Sequence, residues 1–424
     1  MFSRIEVLHF RALKYIDIKL SKFQILVGPN ASGKSTFLDV VNLIKDVLNG
    51  DPRKAMEKRA SHFEELLWNR QGKKFEIAIE LEIPEKIKGK LKDKDYGLVR
   101  YEISFQYDEK KGISIGGENL WLIKKSLNYS NGKINLAKQT ELFPVEPKEP
   151  EYVLLPGNSR RTPIGWRKLV SKSDKGNDCF TSEITGWNIT YKFGPSKASL
   201  ARVPEDEERF PVTLWTKNIL MDGIQFLQLD SSKMRWSCRP DSPVTFQTDG
   251  SNLPKVIQYL KKEHPDSFSM WIKHIQTALP EIGGIEVKEK SEDRFLYINI
   301  IHKNNLALPS WVISDGTLRL FAQTIIAYLP EKDQIYMIEE PENGLHPLAI
   351  ESLFQSLSSV YENQILLATH SPAILHLTEP KDIICFSKTD SGSVAMIRGE
   401  DHPKLKEWQK GTDLSALHAA GVLQ

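Results

Sequence analysis

Gly28-Pro29-Asn30-Ala31-Ser32-Gly33-Lys34-Ser35, with Thr36 immediately after it, decides how this chain is read. Four free residues separate a glycine from Gly-Lys-Ser, the spacing of a loop that wraps phosphate oxygens. The apolar run Phe23 to Val27 before it predicts a buried strand, and Thr36 to Val47 after it carries apolar residues at helical spacing. Strand, loop and helix thus follow in the order that phosphate binding needs. Small residues let the backbone approach a polyphosphate, while N–H groups at the helix start face its charge. Gly28, Asn30, Ser32, Gly33 and Thr36 belong to the expected cradle. Lys34 is expected to reach the β- and γ-phosphates of a nucleotide, and the Ser35 hydroxyl to complete the shell of a magnesium ion.

Three later stretches supply complementary chemistry. Ile335 to Ile338 predicts a strand ending in Glu339-Glu340, two carboxylates at a strand end. Glu339 suits magnesium, and Glu340 suits the orientation or deprotonation of an attacking water. Ile365 to Ala368 predicts another strand, ending in Thr369-His370-Ser371-Pro372, where His370 can hydrogen-bond a γ-phosphate or that water. Ser314-Asp315-Gly316-Thr317 precedes a largely apolar helix from Leu318 to Tyr328. Ser314 and Gly316 make its start a second anion-binding terminus. Two such termini cannot comfortably serve one nucleotide within a single compact sheet, so a second subunit is expected to present this one.

The rest of the chain frames these stretches. Its 424 residues suffice for two or three compact units. Fifty-seven Lys and Arg against 55 Asp and Glu leave a formal charge of +2, so no global field points to nucleic acid or a membrane surface. Basic pairs such as Arg53-Lys54, Lys58-Arg59, Arg160-Arg161, Arg167-Lys168 and Lys261-Lys262 are local only. The three cysteines are far apart, which argues against a disulfide framework or a thiolate metal site and predicts a reducing, cytoplasmic setting. No secretory leader and no apolar run near eighteen residues is read, so no membrane partner is expected.

Ile5 to Val7 and Ile16 to Ile18 predict two strands joined by a basic turn that contains Arg11. Asp51 to Asn69 predicts a further helical piece. Phe75 to Ile83 and Val99 to Tyr107 alternate as half-buried strands with solvated polar faces, and shorter strands are expected at Leu120 to Ile123 and Lys133 to Leu136. From about 138 to 210 the composition predicts loops or a partly mobile insertion, with Trp166, Trp187 and Tyr191 packing a small core. Leu214 to Leu229 is apolar, Asn252 to Leu279 reads as helix broken near His264-Pro265, and Ile285 to Lys288 with Phe295 to Ile300 reads as a hairpin. Ile383 to Ser387 and Val394 to Ile397 suggest a closing hairpin, and Asp413 to Leu423 a terminal helix.

Taken together, these residues resemble an ATPase of the ABC superfamily, in the soluble branch with RecF, the SMC proteins, the double-strand-break repair ATPases and the OLD nucleases. GPNASGKST resembles the Walker A motif of that branch, SDGTLR at Ser314 to Arg319 its signature, IYMIEEPENGLHP at Ile335 to Pro347 its Walker B and D-loop, and LLATHSP at Leu366 to Pro372 its switch-histidine segment. The resemblance covers residues 1 to 50 and 305 to 385. It implies an α/β fold: an ABC-type ATPase head with a mixed central sheet, an antiparallel amino-terminal sheet and an inserted strand and helix region. Residues 1–137 would be the amino-terminal lobe, 138–212 a variable insertion, 213–304 a connecting region and 305–424 the carboxy-terminal lobe.

The same resemblance implies ATP and Mg2+ as cofactors, ATP hydrolysis, and an ATP-dependent head-to-tail homodimer in which Ser314 faces the γ-phosphate held by Lys34 of the other subunit. Arg11 is expected to approach the nucleotide, and Gln225 or Gln228 to contact magnesium. Coupling to DNA sensing, repair or anti-phage defence follows from the family, with Arg160, Arg161 and Arg167 as the candidate DNA surface. The alternative is a regulatory or scaffold subunit that controls a separate nuclease or toxin effector without touching DNA. Two departures stand out. The signature reads SDG, which puts the Asp315 carboxylate near an anionic ligand, and the magnesium carboxylate is a glutamate. A long coiled coil is lacking, and the stretch after His370 is expected to be too short for a complete OLD-type nuclease domain.

Overall fold

Residues 1–109, 112–125, 143–155, 162–173, 177–406 and Leu414 are described by a computed structural model. They divide into two units: Met1–Ile224 together with residues 380–406, and Gln225–Glu379. In the first unit, β1 (Phe2–Phe10) and β2 (Leu13–Lys19) form the expected hairpin, and β3 (Phe23–Val27) leads through the phosphate-type loop into α1 (Lys34–Asn49). α1 buries Phe37, Leu38, Val41, Ile44 and Val47 at three- and four-residue spacings, the stripe that makes a helix pay in water. Of the helical piece expected over Asp51 to Asn69, only α2 (Pro52–Glu57) and short 3-10 turns form.

β4 (Lys74–Glu82), α3 (Glu85–Lys88), β5 (Tyr96–Asp108) and β6 (Gly112–Lys124) follow. The region expected to be loop then contributes three more strands, β7 (Trp166–Lys172), β8 (Asp178–Thr181) and β9 (Asn188–Tyr191), before α4 (Pro211–Asn218). The result is an eight-stranded sheet in the order β2-β1-β4-β5-β6-β7-β8-β9 with antiparallel neighbours. β7 to β9 escaped detection because their polar content masks the alternation; they are recruited by pairing to β6. The aromatics of this region divide. Trp166 packs edge-on against Trp121 with ring centroids 5.8 Å apart, whereas Trp187 is 63% exposed, beneath Arg209. The strand expected at Lys133 to Leu136 lies outside the described residues.

The polar faces of β4 and of most of β5 are not solvated, contrary to the alternation of these strands. Register puts Glu6 opposite Asp17 and Ala78, Arg4 and Arg100 opposite Glu80, and Glu102 opposite Ala78. Arg100 donates to Glu80 at 3.0 Å, to Glu102 at 2.8 Å and to Glu6, while Arg4 chelates Asp17 at 2.6 and 2.7 Å. Residues 153–155 of the insertion cover this face. The N–H groups of Val153 and Leu154 donate to Glu76 at 2.7 and 2.8 Å, and that of Leu155 to Glu102 at 3.1 Å. Trp121 and Asn119 complete the shell of Glu102. Burial pushes the Glu6 carboxyl up, but Arg100 and Arg4 outweigh it and hold it below the usual carboxylate range. Nearer its start, the same segment is anchored by Glu146, which accepts from Ser391 at 2.8 Å and Ser393 at 3.2 Å.

The unit boundary falls at β10 (Ile224–Leu227). In the second unit α5 (Ser231–Arg235) precedes α6 (Leu253–Glu263) and α7 (Pro265–Ala278), which break at His264-Pro265 as expected. Pro265 at the first turn of α7 lacks the N–H that a continuous helix would use. β11 (Ile282–Glu289), β12 (Leu296–His302) and β13 (Ala307–Pro309) form a small antiparallel sheet. Then come α8 (Asp315–Thr324), β14 (Ile335–Glu339), α9 (Pro347–Ser358), β15 (Gln364–Ala368) and α10 (Pro372–His376). β14 and β15 are parallel, with Glu339 opposite Ala368. Trp271 of α7 locks this layer to α8: its Nε1–H donates to Thr324 at 3.0 Å and its ring meets Phe321 edge-on.

The chain returns to the first unit as β16 (Ile383–Lys388) and β17 (Val394–Arg398), the predicted closing hairpin. β16 pairs parallel with β3 and antiparallel with β17, a mixed arrangement. The whole is an α/β fold with a mixed sheet, an antiparallel sheet and an inserted helical region, as the sequence predicts. The terminal helix expected over Asp413 to Leu423 lies outside the described residues except at Leu414. No helix among the described residues is long and apolar enough to cross a membrane.

Candidate nucleotide site

The phosphate-type loop is shaped by contacts that only glycine permits. A Cβ on Gly28 would lie 2.3 Å from the Phe386 carbonyl oxygen of β16, and one on Gly33 would lie 2.6 Å from Val394 Cγ2 of β17. Gly33 also adopts φ 102°, which favours glycine. Behind this turn Lys34 is buried, and its ammonium donates to the carbonyls of Gly28 at 2.8 Å and Pro29 at 2.9 Å. The Ser32 hydroxyl oxygen is buried without a partner among the described residues. A buried polar atom left unpaired costs about 1–3 kcal/mol. α1 has no side-chain cap and no acidic residue in its first turn, so neither a cap nor a first-turn carboxylate offsets its positive end. Close backbone, an orphaned hydroxyl and an uncapped helix start fit an anionic phosphate. Asn30 and Ser35 are exposed at the loop, and Thr36 is half-buried.

Arg11 is held away from free solution. It has φ 49°, and its guanidinium donates to Asp39 of α1 at 3.0 Å and to the Arg59 carbonyl at 2.8 Å. Arg59 in turn binds Asp39 and Asp46, both at 2.8 Å. The basic pair Lys58-Arg59 therefore serves α1.

In the second unit the strand ends carry the expected acidic and histidine residues. Glu339 is the last residue of β14, and the N–H of Glu340 donates to Ala368 at 2.7 Å, adding one rung to the β14–β15 ladder. Glu340 then takes φ 46°, turning the chain sharply, and its exposed carboxylate accepts from the Asn343 amide. Thr369 is buried beside His370, and its hydroxyl donates to Glu342 at 2.6 Å. Neither Thr369 nor Glu342 was singled out from the sequence, although Glu342 lies two residues beyond Glu340 in the same turn. Among the described residues no group of three or more His, Cys, Asp or Glu could hold a metal ion. Ser35 carries a hydroxyl and Glu339 a carboxylate, each by itself a hard-oxygen donor of the kind magnesium takes.

The signature segment caps its own helix: Ser314 Oγ accepts from the Thr317 N–H at 3.2 Å. Gly316 is needed for close approach, because a Cβ there would lie 2.2 Å from the carbonyl oxygen of Gly344 in the D-loop turn. The Asp315 carboxylate is paired with Arg235 at the end of α5, and Arg235 also donates to the Trp311 carbonyl at 3.3 Å. The charge that made SDG look hostile to an anion is thus balanced by a guanidinium that no sequence spacing revealed. Gln225 lies half-buried in β10, beside β14 in the sheet order, and Gln228 is exposed just past that strand.

Arg167, one of the three candidate DNA residues, donates to the carbonyls of Ser182 at 2.6 Å and Glu183 at 3.0 Å. Its neighbour Lys168 sits 4.6 Å from the centre of the Trp121 ring, and burial lowers its pKa. Arg160 and Arg161 lie outside the described residues.

Comparison with known proteins agrees with this layout. Residues 1–162, which hold the phosphate loop, match a family model described as "AAA ATPase domain". Residues 237–376, which hold the signature, the acidic strand end and His370, match one described as "AAA domain, putative AbiEii toxin, Type IV TA system". No curated protein matches the chain. Among solved structures, an SMC head bound to the C-winged helix domain of ScpA is similar with a TM-score of 0.50 at 16% identity, covering 93% of this chain and 96% of that one. The SMC head domain from Thermotoga maritima gives 0.41 at 11% identity, over 94% and 98%. An Smc head with an extended coiled coil from Pyrococcus furiosus, bound to the C-terminal domain of ScpA, gives 0.47 at 15%, over 96% and 98%. Residues 1–162 are thus similar to an AAA ATPase domain and residues 237–376 to AbiEii-type AAA domains, and the fold is similar to that of an SMC head.

Proposed function

We propose that this chain is an ATP-hydrolysing molecular switch that closes head to tail on ATP as a dimer and opens after hydrolysis. The observation that carries this reading is the loop from Gly28 to Ser35, with its glycine-only contacts, its orphaned Ser32 hydroxyl and the buried Lys34 ammonium. Lys34 and the α1 N–H groups bind the phosphates. Ser35 and Glu339 are the residues that would hold a magnesium ion, which would supply charge neutralisation for the phosphates. Glu340, oriented by Asn343, takes the proton of the attacking water, and His370 hydrogen-bonds the γ-phosphate or that water. Ser314 and Gly316 of a second copy complete the binding of the γ-phosphate, with Arg235 neutralising Asp315.

Two downstream roles follow from the resemblance: coupling to DNA in sensing, repair or anti-phage defence, and control of a separate nuclease or toxin effector. The engagement of Arg167 with backbone carbonyls and the match to AbiEii-type domains favour the second. Native mass measurement of the wild type and Glu340→Gln, with ATP and with or without duplex DNA, tests both levels. Hydrolysis is expected to fall at least a hundredfold in the variant while ATP-bound dimers accumulate, since loss of a general base costs 10²–10⁴-fold. A variant that still hydrolyses ATP and stays monomeric would remove the switch reading. A DNA-bound species would return DNA to first place.

A further inference from the structure

We infer that Glu342 is a positioning residue for hydrolysis: it holds the Thr369–Ser371 turn so that His370 keeps its place relative to Glu340. The inference rests on the ATPase reading above. Glu342 lies in the turn that follows Glu340, and Thr369 immediately precedes His370. The Thr369 hydroxyl donates to Glu342 Oε1 at 2.6 Å and accepts from the N–H of Ser371 at 2.9 Å. One buried hydroxyl thus spans His370 and ties the main chain around it to a carboxylate. The Glu340 N–H, donating to Ala368 at 2.7 Å, links the same two turns through the backbone. Two bonds, one main-chain and one side-chain, therefore relate the residue assigned to the water with the residue assigned to the γ-phosphate.

The second oxygen of Glu342 is buried and has no partner among the described residues. Taking one oxygen of a half-buried carboxylate out of water for a single hydrogen bond is a poor way to gain stability, because a neutral side chain would occupy the place at lower desolvation cost. A charged acceptor does give a shorter and stronger bond to a hydroxyl than a neutral one. Fixing the turn is what the carboxylate accomplishes, and geometry of this kind governs rate more than binding.

The test is steady-state ATP hydrolysis by the full chain and its Glu342→Ala, Thr369→Val, Thr369→Ser and His370→Ala variants, together with the Glu342→Ala/His370→Ala double variant, each checked by thermal melting. Glu342→Ala and Thr369→Val are expected to lower kcat about tenfold or more with KM for ATP within about twofold, the signature of misplacement without lost binding. Thr369→Ser keeps the hydroxyl and is expected to keep the activity. In the His370→Ala background, Glu342→Ala is expected to cost nothing more, because it acts through the histidine. Additive losses in the double variant, or an unchanged kcat in Thr369→Val, would overturn the positioning role. Should Glu342→Ala not fold, the contrast of Thr369→Ser with Thr369→Val decides alone. Hydrolysis that survives Glu340→Gln removes the underlying reading and this inference with it, whereas hydrolysis lost in Glu340→Gln yet untouched in Thr369→Val removes only the inference.

Discussion

On the polar face of the antiparallel sheet, Arg100 meets Glu6, Glu80 and Glu102, and Glu102 also accepts from Asn119, Trp121 and Leu155. In the phosphate loop, by contrast, the buried Ser32 hydroxyl has no partner among the described residues, and in the turn after Glu340 one buried oxygen of Glu342 has none among them either. Both regions take polar groups out of water. The first satisfies them from within the chain, through residues remote in sequence, and so fixes which strands pair and which segment covers them. The second leaves atoms unpaired among the described residues, in the phosphate loop beside backbone that only glycine could form. A complete network is a device for specifying structure, and an incomplete one marks where something outside the fold is expected to supply the missing bond.

Breaking the complete network has the largest expected effect. Arg100→Met removes the guanidinium shared by three carboxylates on a covered face and should destabilise the protein by about 3–5 kcal/mol, read by urea unfolding. Acid sharpens the point. Glu6 is depressed when folded, so its contribution to stability is present above the unfolded carboxylate range near pH 4.3 and is lost as pH falls through the lower folded value. In the variant Glu6 keeps Arg4 but loses its larger guanidinium partner, so burial weighs more on its carboxyl and protonation relieves it. The gap between wild type and Arg100→Met should therefore narrow as pH drops from 7 towards 4. A gap that widened would mean the network is not held by charge.

A smaller effect is expected where backbone approach matters and charge does not. Gly28→Ala drives a methyl against the Phe386 carbonyl, which costs about 1–3 kcal/mol of stability and at least about tenfold in ATP affinity, measured by titration with a fluorescent ATP analogue. The smallest change in stability is predicted for Ser32→Ala. Removing a hydroxyl that has no partner among the described residues should leave the unfolding free energy within about 0.5 kcal/mol of wild type or raise it, while ATP binding weakens. Loss of stability in Ser32→Ala with unchanged binding would reverse the contrast between the two regions.

Much of the candidate site was legible because its information is local. The loop spacing, the strand before it and the helix after it occupy one continuous stretch, and β14 ending at Glu339 and β15 ending before His370 announce themselves as short apolar runs. What escaped was the company these residues keep. Asp315 and Arg235 are 80 positions apart, Thr369 and Glu342 are 27 apart, and Arg11 finds Asp39 across 28. Pairs of that kind leave no period to read. The polar strands β7 to β9 escaped for a related reason, since their neighbours and not their own side chains make them strands.

By itself, then, the sequence determined the elements whose periodicity and spacing are written along the chain: the nucleotide-type loop, the helices behind it and the alternating strands of the first unit. Alternation says that a strand has two faces, but it does not say whether water or protein lies on the polar one. Only the tertiary structure decided that Glu76, Arg100 and Glu102 would be roofed by residues 153–155, that Asp315 would be neutralised, and that Thr369 would be tied to Glu342. The reason is physical. Burial and ion pairing are properties of groups brought together by the fold, and their energy depends on all the partners present at once.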